Sequence, residues 1–349
     1  LEKLRADNKE IGPGQACYII AEAGVNHNGS VEKGIKLIDA ALEADADAVK
    51  FQTFRADRLV VPGAARAAYQ VANAGGDEDQ LAMLQRLELS ASDFSRLAEY
   101  CGERGITFLS SPFDKASVDL LCELAVPLLK IGSGELTNYS LLRYAAGKGC
   151  PLILSTGMAD MREVEIAVDV VREAGCGGLA LLHCVSNYPA DPASVNLRAM
   201  QTLREQFGVP VGFSDHTRGV EVAIGAAALG ADVLEKHLTL SRSDCGPDHA
   251  ASLEPIEFKA MVYAMRNVEK ALGDGNKRPV AEEAGVAAVA RRSLFAACDI
   301  EAGATITETM LCARRPGTGM PPTATGDVVG RSAACAIRAN EMIRPDVLV

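Results

Sequence analysis

From residue 17 to about 272, short β-branched or apolar runs alternate with longer segments in which apolar residues recur at helical spacing. The short runs predict strands at 17–22 (CYIIAE), 48–52 (AVKFQ), 106–110 (ITFLS), 127–131 (PLLKI), 151–155 (PLILS), 179–183 (LALLH), 210–214 (PVGFS) and 233–238 (VLEKHL). Helices fit between and after them at 31–44, 92–104, 116–124, 140–146, 161–173, 197–206, 220–229 and 255–272. Such regular alternation is the signature of parallel strands joined by helical crossovers. Eight strand–helix units in about 256 residues match an α/β TIM (β/α)8 barrel in count and size.

Two segments break the rhythm. Residues 53–90 form a long insertion after the second strand, with Pro62, Gly63 and a polar stretch at 73–80, and predict a loop or lid with a short helix at 81–86. Residues 239–254 form an Asp/Gly/Pro-rich loop after the eighth strand. Both fall at the C-terminal face of the barrel, where such proteins place their active sites. The predicted organisation is therefore a barrel domain at 1–272, a polar linker at 273–290, and a compact domain of short strands and turns at 291–349.

Composition narrows the class. Of 349 residues, 48% are hydrophobic and 23% charged, enough for a large core and incompatible with a disordered chain. No 18-residue apolar run calls for a membrane span, and the polar N-terminal segment lacks a signal-type apolar core, which predicts a cytoplasmic protein. A net charge of −11 argues against nucleic-acid partners, whose phosphates require a basic surface. Ten scattered cysteines with no CxxC pair read as reduced thiols.

Chemistry-bearing residues gather at the ends of the strands: Glu22 with Asn26 and His27; Lys50 and Gln52; Ser110 and Ser111; Lys130, Ser133 and Glu135; Ser155; His183 through Tyr188; Ser214, Asp215 and His216; Glu235 and His237. Side chains alternate along a strand, so Lys50 with Gln52, and Glu235 with His237, share a face. His216 and His237 lie on neighbouring strands and are placed to share one exchangeable divalent cation, unless each is a hydrogen-bonded barrel residue; His183 is a weaker candidate. Lys50 and Lys130, flanked by Ser111, Ser133, Ser155 and Ser214, suit a phosphorylated anion. An aldolase would instead need one desolvated Lys as imine nucleophile. Glu135, following Gly-Ser-Gly, is a candidate for proton transfer or simply a helix N-terminal carboxylate. Glu22 is a second carboxylate at the pocket, and Asp248 and His249 are either sugar-hydroxyl partners or part of a plain turn.

The motifs IIAEAGVNHNG, VKFQTF, LSSPFD, KIGSGE, ILSTGM, HCVSNYP, GFSDHT, EKHLTL and GPDHAASLEP, in this order, resemble the sialic acid synthase family. RRSLFAACDIEAGATIT, ARRPGTG and VGRSAA resemble its C-terminal antifreeze-like (SAF, β-clip) domain. The resemblance covers residues 16–349 and implies condensation of phosphoenolpyruvate with an N-acylated hexosamine, typically N-acetylmannosamine, to a nine-carbon sialic acid and phosphate. It further implies that Lys50, Ser111, Lys130, Ser133, Ser155 and Ser214 hold phosphoenolpyruvate, and that His216 and His237 bind Mn²⁺ or Mg²⁺. Glu22, Gln52, Asn73, Tyr188 and Asp248 match sugar contacts, and Glu135 matches the acid–base residue. Arg315 matches an arginine delivered to the partner subunit, implying a domain-swapped homodimer. Ser186 stands where some bacterial members carry Asn. The motif variants are also similar to legionaminate synthases, which leaves the hexosamine open; a non-catalytic carbohydrate-binding protein is the remaining alternative.

Overall fold

Alternation of side chains across each strand sets the architecture of the larger of two compact units, Leu1–Gly273 and Asp274–Val349. The computed structural model describes residues 3–74 and 78–349. An N-terminal hairpin pairs β1 (Leu4–Ala6) with β2 (Lys9–Ile11). The barrel strands follow: β3 (Tyr18–Gly24), β4 (Ala48–Thr53), β5 (Thr107–Pro112), β6 (Leu129–Ile131), β7 (Leu152–Ser155), β8 (Leu179–Cys184), β9 (Val211–Asp215) and β10 (Val233–His237). They hydrogen-bond in parallel in the order β5-β4-β3-β10-β9-β8-β7-β6, and β5 and β6, at the two ends of that series, lie side by side to complete the ring. The fold is a TIM barrel.

Tyr18, Ile20, Ala48, Leu109, Leu128, Ile153, Ala180, Leu182 and Val233 fill the barrel interior. The alternate set, including Ile19, Val49, Phe51, Leu129, Leu154, Leu181 and Phe213, packs outward under the helices. Leu4, Ala6 and Ile11 of the hairpin join the interior cluster, so the polar N-terminal segment carries a plug for the barrel. Burying Leu4 and Ile11 contributes roughly 2 kcal/mol per side chain. Helix ends are written locally: Ser90 and Asp93 cap the helix Ala91–Arg104 reciprocally, as Asp160 and Glu163 do for Met161–Glu173.

The insertion after β4 is more helical than its sequence predicts, with Ala56–Leu59, Ala68–Ala74 and Gln80–Leu87. Its last helix is capped by Asp79 and buries Met83 and Leu87 against Val25 and Phe54 in a small core of its own. No helix among the described residues is long and apolar enough to cross a membrane.

In the second unit, β11 (Ser293–Ala296) pairs antiparallel with β12 (Leu311–Arg314) around Leu294, Ile300, Ile306, Val328, Ile337 and Ile343. The segment 273–290, expected as a linker, carries the helix Glu283–Ala290. Within this unit Arg315 is exposed and donates through Nε to the Ala290 carbonyl at 2.9 Å.

Candidate active site

The inward phase that fills the barrel with Leu, Ile and Val turns polar at the C-terminal ends of the strands, where Glu22, Lys50, Ser111, Lys130, Ser155, Ser214, Glu235 and His237 replace apolar residues. They line a cavity of about 560 Å³ together with Gln52, Ser133, Glu135, Tyr188, His216 and Asp248. Lys50 and Lys130 are no more than 4% exposed. Ions this buried lose several kcal/mol each in desolvation and persist only when paired, and the partners are present. Glu22 Oε2 lies 2.6 Å from Lys50 Nζ. Glu235 bridges the two ammoniums, with Oε2 3.6 Å from Lys50 and Oε1 3.2 Å from Lys130.

Hydroxyls and an amide complete the set. Lys50 Nζ donates to Ser111 Oγ (3.1 Å), Gln52 Nε2 to Glu22 Oε1 (2.9 Å) and Ser214 Oγ to Glu235 Oε1 (3.1 Å). Ser133 Oγ accepts from the Gly157 amide at 2.9 Å, whereas the buried Ser155 Oγ has no partner. Gly157 is required by space: a Cβ there would lie 2.3 Å from Ser186 Oγ and 2.8 Å from Ser133 Oγ.

Electrostatics follow from this packing. Burial raises Glu22, and the Lys50 ammonium only partly offsets it. Burial would also raise Glu235, but Lys130 and Lys50 outweigh it and hold the carboxyl at about 2. Burial works against the Lys50 charge, yet Glu22 and Glu235 keep its pKa above the ordinary value. Asp248 is raised to about 6 by burial and by Glu22.

His216 and His237 come together with ring centroids 5.4 Å apart, and Tyr188 packs on both. Burial, reinforced by His216, pushes His237 well down and keeps it neutral. Its buried Nδ1 has no hydrogen-bond partner and stands 3.8 Å from Asp248 Oδ2. His216 commits Nδ1 to the Val185 carbonyl (2.8 Å), leaving Nε2 as its available nitrogen. A neutral, unpartnered imidazole nitrogen beside a second histidine fits a divalent cation. Among the described residues no group of three or more His, Cys, Asp or Glu side chains is arranged to hold a metal, so a cation here would take its other ligands from water or substrate.

Not every strand-end residue belongs to this cavity. His183 is out of phase: Leu182 and Cys184 face inward, and His183 stacks outside on Phe213 with Nε2 2.6 Å from the Val195 carbonyl. Asp215 also points outward, pairing with the buried Lys236 at 2.8 Å. His249 is occupied by Thr239 (2.6 Å) and Asn28 (3.2 Å), which fixes the loop that carries Asp248. Asn73 donates to the Pro247 carbonyl at 2.8 Å, tying the insertion to that same loop. Glu135 lies half-buried at the cavity wall and accepts from Asn138 Nδ2 at 2.7 Å. Two participants had no assigned role in the sequence: Glu235, visible there as the in-phase neighbour of His237, and Tyr69, which stacks on Tyr188 at 5.0 Å from within the insertion.

Fold and site together define a TIM-barrel protein with a buried lysine pair, bridged by Glu235, next to a histidine pair at the C-terminal face. Residues 37–277 match the NeuB family and residues 291–349 the SAF domain. The chain is 47% identical to N,N'-diacetyllegionaminic acid synthase of Legionella pneumophila over 92% of each chain. It is 43% identical to the enzyme of the same name from Campylobacter jejuni, covering 93% of this chain and 98% of that one. A crystal structure of N-acetylneuraminic acid (sialic acid) synthetase from Leptospira borgpetersenii superposes with a TM-score of 0.72 at 34% identity, covering 82% of this chain and 95% of that one. The chain belongs to the NeuB family of sialic acid synthases, built as a TIM barrel followed by an SAF domain.

Proposed function

We propose that this protein condenses phosphoenolpyruvate with the open-chain form of an N-acylated hexosamine, releasing phosphate and a nine-carbon 2-keto-3-deoxy acid. The observation that carries the reading is the buried Lys50–Lys130 pair, bracketed by Ser111, Ser133, Ser155 and Ser214, beside the unpartnered His237. N-acetylmannosamine is the sugar the sequence motifs suggest. The two legionaminic acid synthase relatives favour a second reading, a 6-deoxy hexose with two acylamino groups.

In this reaction Lys50 and Lys130 hold the phosphate and carboxylate of phosphoenolpyruvate, and the serines donate hydroxyls to the same anion. Glu22, Gln52, Tyr188 and Asp248 orient the sugar so that its aldehyde carbon faces C3 of phosphoenolpyruvate. The C3–C1 bond forms as the aldehyde C=O opens to an alkoxide, C2 becomes cationic, water adds to C2, and phosphate leaves with cleavage of the C2–O bond, one water proton ending on the alkoxide and the other on the phosphate. Glu135 takes the proton from the water oxygen that adds to C2. Glu235 keeps the two ammoniums together.

Carboxylates outnumber ammoniums along the cavity, with Glu22, Glu135, Glu235 and Asp248 against Lys50 and Lys130. A multiply charged anion therefore needs added positive charge. Mn²⁺ or Mg²⁺ held by His216 and His237 would supply it, together with Lewis-acid polarisation of the sugar carbonyl. The assembly in this reading is a domain-swapped homodimer in which Arg315 of the partner subunit completes the sugar site.

The test is phosphate release from phosphoenolpyruvate. It should require a hexosamine, cease on chelation and return with Mn²⁺ or Mg²⁺. Sugar-independent release, or none with any hexosamine, would overturn the assignment, and full activity of a rigorously metal-free preparation would remove the cation from it.

A further inference from the structure

Outside the cavity, an ion pair is sealed behind the two histidines. Asp215 and Lys236 face each other in register across β9 and β10, and their side chains are fully buried with Lys236 Nζ 2.8 Å from Asp215 Oδ2. Each is the chain neighbour of a histidine: His216 follows Asp215, and His237 follows Lys236. Alternation along β10 turns Lys236 outward, into the layer of Phe213, Leu234 and Leu238, and His237 inward to the cavity.

β9 ends at Asp215, so its ladder to β10 stops one residue short of His216. On the β8 side the Ala190 amide donates to the His216 carbonyl at 2.9 Å. On the β10 side the ion pair takes over. Asp215 Oδ1 accepts from the backbone N–H and the hydroxyl of Thr217, both at 2.8 Å, and Lys236 Nζ donates to the Thr217 carbonyl at 2.6 Å. His216 is thereby held from both of its chain neighbours, and both ties run to the residue beside His237. Two buried ions gain little stability over apolar side chains of similar volume, because desolvation offsets their attraction. Directed bonds from one ammonium to two points flanking His216 do what an apolar side chain there would not: they fix one strand end relative to the other.

We propose that Lys236 and Asp215, acting through Thr217, are positioning residues that set the spacing of His216 and His237 for one divalent cation. The proposal rests on the cation in the condensation reading and adds what determines its affinity. Groups that orient metal-binding histidines from behind typically carry about 10- to 100-fold of the affinity. The opposite end of the same two strands provides a control. There Arg204, on the helix Ala199–Phe207, meets Asp232 at 3.3 Å, and Asp232 accepts from the Val211 amide at 2.9 Å.

The experiment titrates Mn²⁺ into the metal-free full chain, without substrates, and follows the free ion by electron paramagnetic resonance, which returns both the number of sites and Kd. Lys236→Met/Asp215→Asn removes both charges and keeps an acceptor for Thr217. Its Kd should rise by about 10- to 100-fold, with the same number of sites and a urea midpoint near the parent's. Thr217→Val removes the hydroxyl alone and should weaken Mn²⁺ in the same direction by a smaller factor. Arg204→Met/Asp232→Asn should bind Mn²⁺ like the parent. A parent-like Kd in the first variant, or in Thr217→Val where the first does not fold, would overturn the positioning role and leave the cation reading intact. So would equal weakening in Arg204→Met/Asp232→Asn, which would mean that any loosening of these strands has the same effect. A parent chain that binds no Mn²⁺ would overturn the cation reading and the positioning role together.

Discussion

Acid should destabilise the barrel through His27, a residue outside the reacting groups. His27 is 1% exposed and packs its ring near Phe51; Nδ1 accepts from the Gly29 amide at 3.0 Å, and Nε2 is buried without a partner. Burial lowers its pKa from 6.5 to about 4 in the native state. The unfolded chain therefore takes up a proton at His27 as the pH falls through 6.5, while the folded chain waits until about 4. Stability is complete above the unfolded value, declines between the two, and levels off below the folded one. Integrating between the two proton-binding curves gives a loss of about 2.5 kcal/mol by pH 4.5. The perturbation is His27→Asn, which keeps an acceptor for Gly29 but cannot titrate. Urea unfolding followed by far-UV circular dichroism suits a chain without tryptophan. Asn should cost stability at pH 7.5 through lost ring packing, but the gap between variant and parent should shrink by about 2.5 kcal/mol at pH 4.5. A gap that stays constant with pH would refute the argument, since carboxylates elsewhere titrate equally in both proteins.

Three further outcomes follow from the site. Lys50→Met strands Glu22 as a buried carboxylate without its ammonium, while Glu235 keeps Lys130, and should cost about 3–5 kcal/mol in urea unfolding, with part recovered in Lys50→Met/Glu22→Gln; a Lys50→Met protein as stable as the parent would contradict the pairing. Gly157→Ala pushes a methyl into Ser133 and Ser186 and should raise KM for phosphoenolpyruvate by about 10-fold, roughly 1.4 kcal/mol of lost binding, more than it raises KM for the sugar; equal effects on both would show that the glycine serves packing alone. Inactive Glu135→Ala and Arg315→Ala chains, mixed under conditions where subunit exchange is verified, should regain activity if Arg315 serves the partner's site, and should stay inactive if it does not.

Most of the fold is legible in the sequence because a barrel strand is a local pattern. Runs such as PLILS and LALLH announce both a strand and its burial, and Lys50 with Gln52 shows which phase faces inward. The same phase argument, carried through LALLHC, would have turned His183 outward, since Leu182 and Cys184 hold the inner positions. The N-terminal hairpin escaped because three-residue strands with exposed neighbours carry too little periodicity, and only the barrel's open end explains why Leu4 and Ile11 are buried. Glu235 reads as a strand-end carboxylate, but its contact with both lysines spans the ring and no local pattern encodes it. In the insertion the sequence shows the helix at 81–86, found as Gln80–Leu87, but not the short helices Ala56–Leu59 and Ala68–Ala74, which have too few turns to carry a periodicity of their own.

The central claim, that Lys50 and Lys130 hold phosphoenolpyruvate for attack on a sugar and do not form an imine with pyruvate, is tested most directly by turnover in ¹⁸O-labelled water. Mass spectrometry of both products should find the label at C2 of the nine-carbon acid and none in the released phosphate. Label in phosphate would mean P–O cleavage, and borohydride trapping of a pyruvate adduct on Lys50 or Lys130 would mean an aldolase; either result would contradict the account.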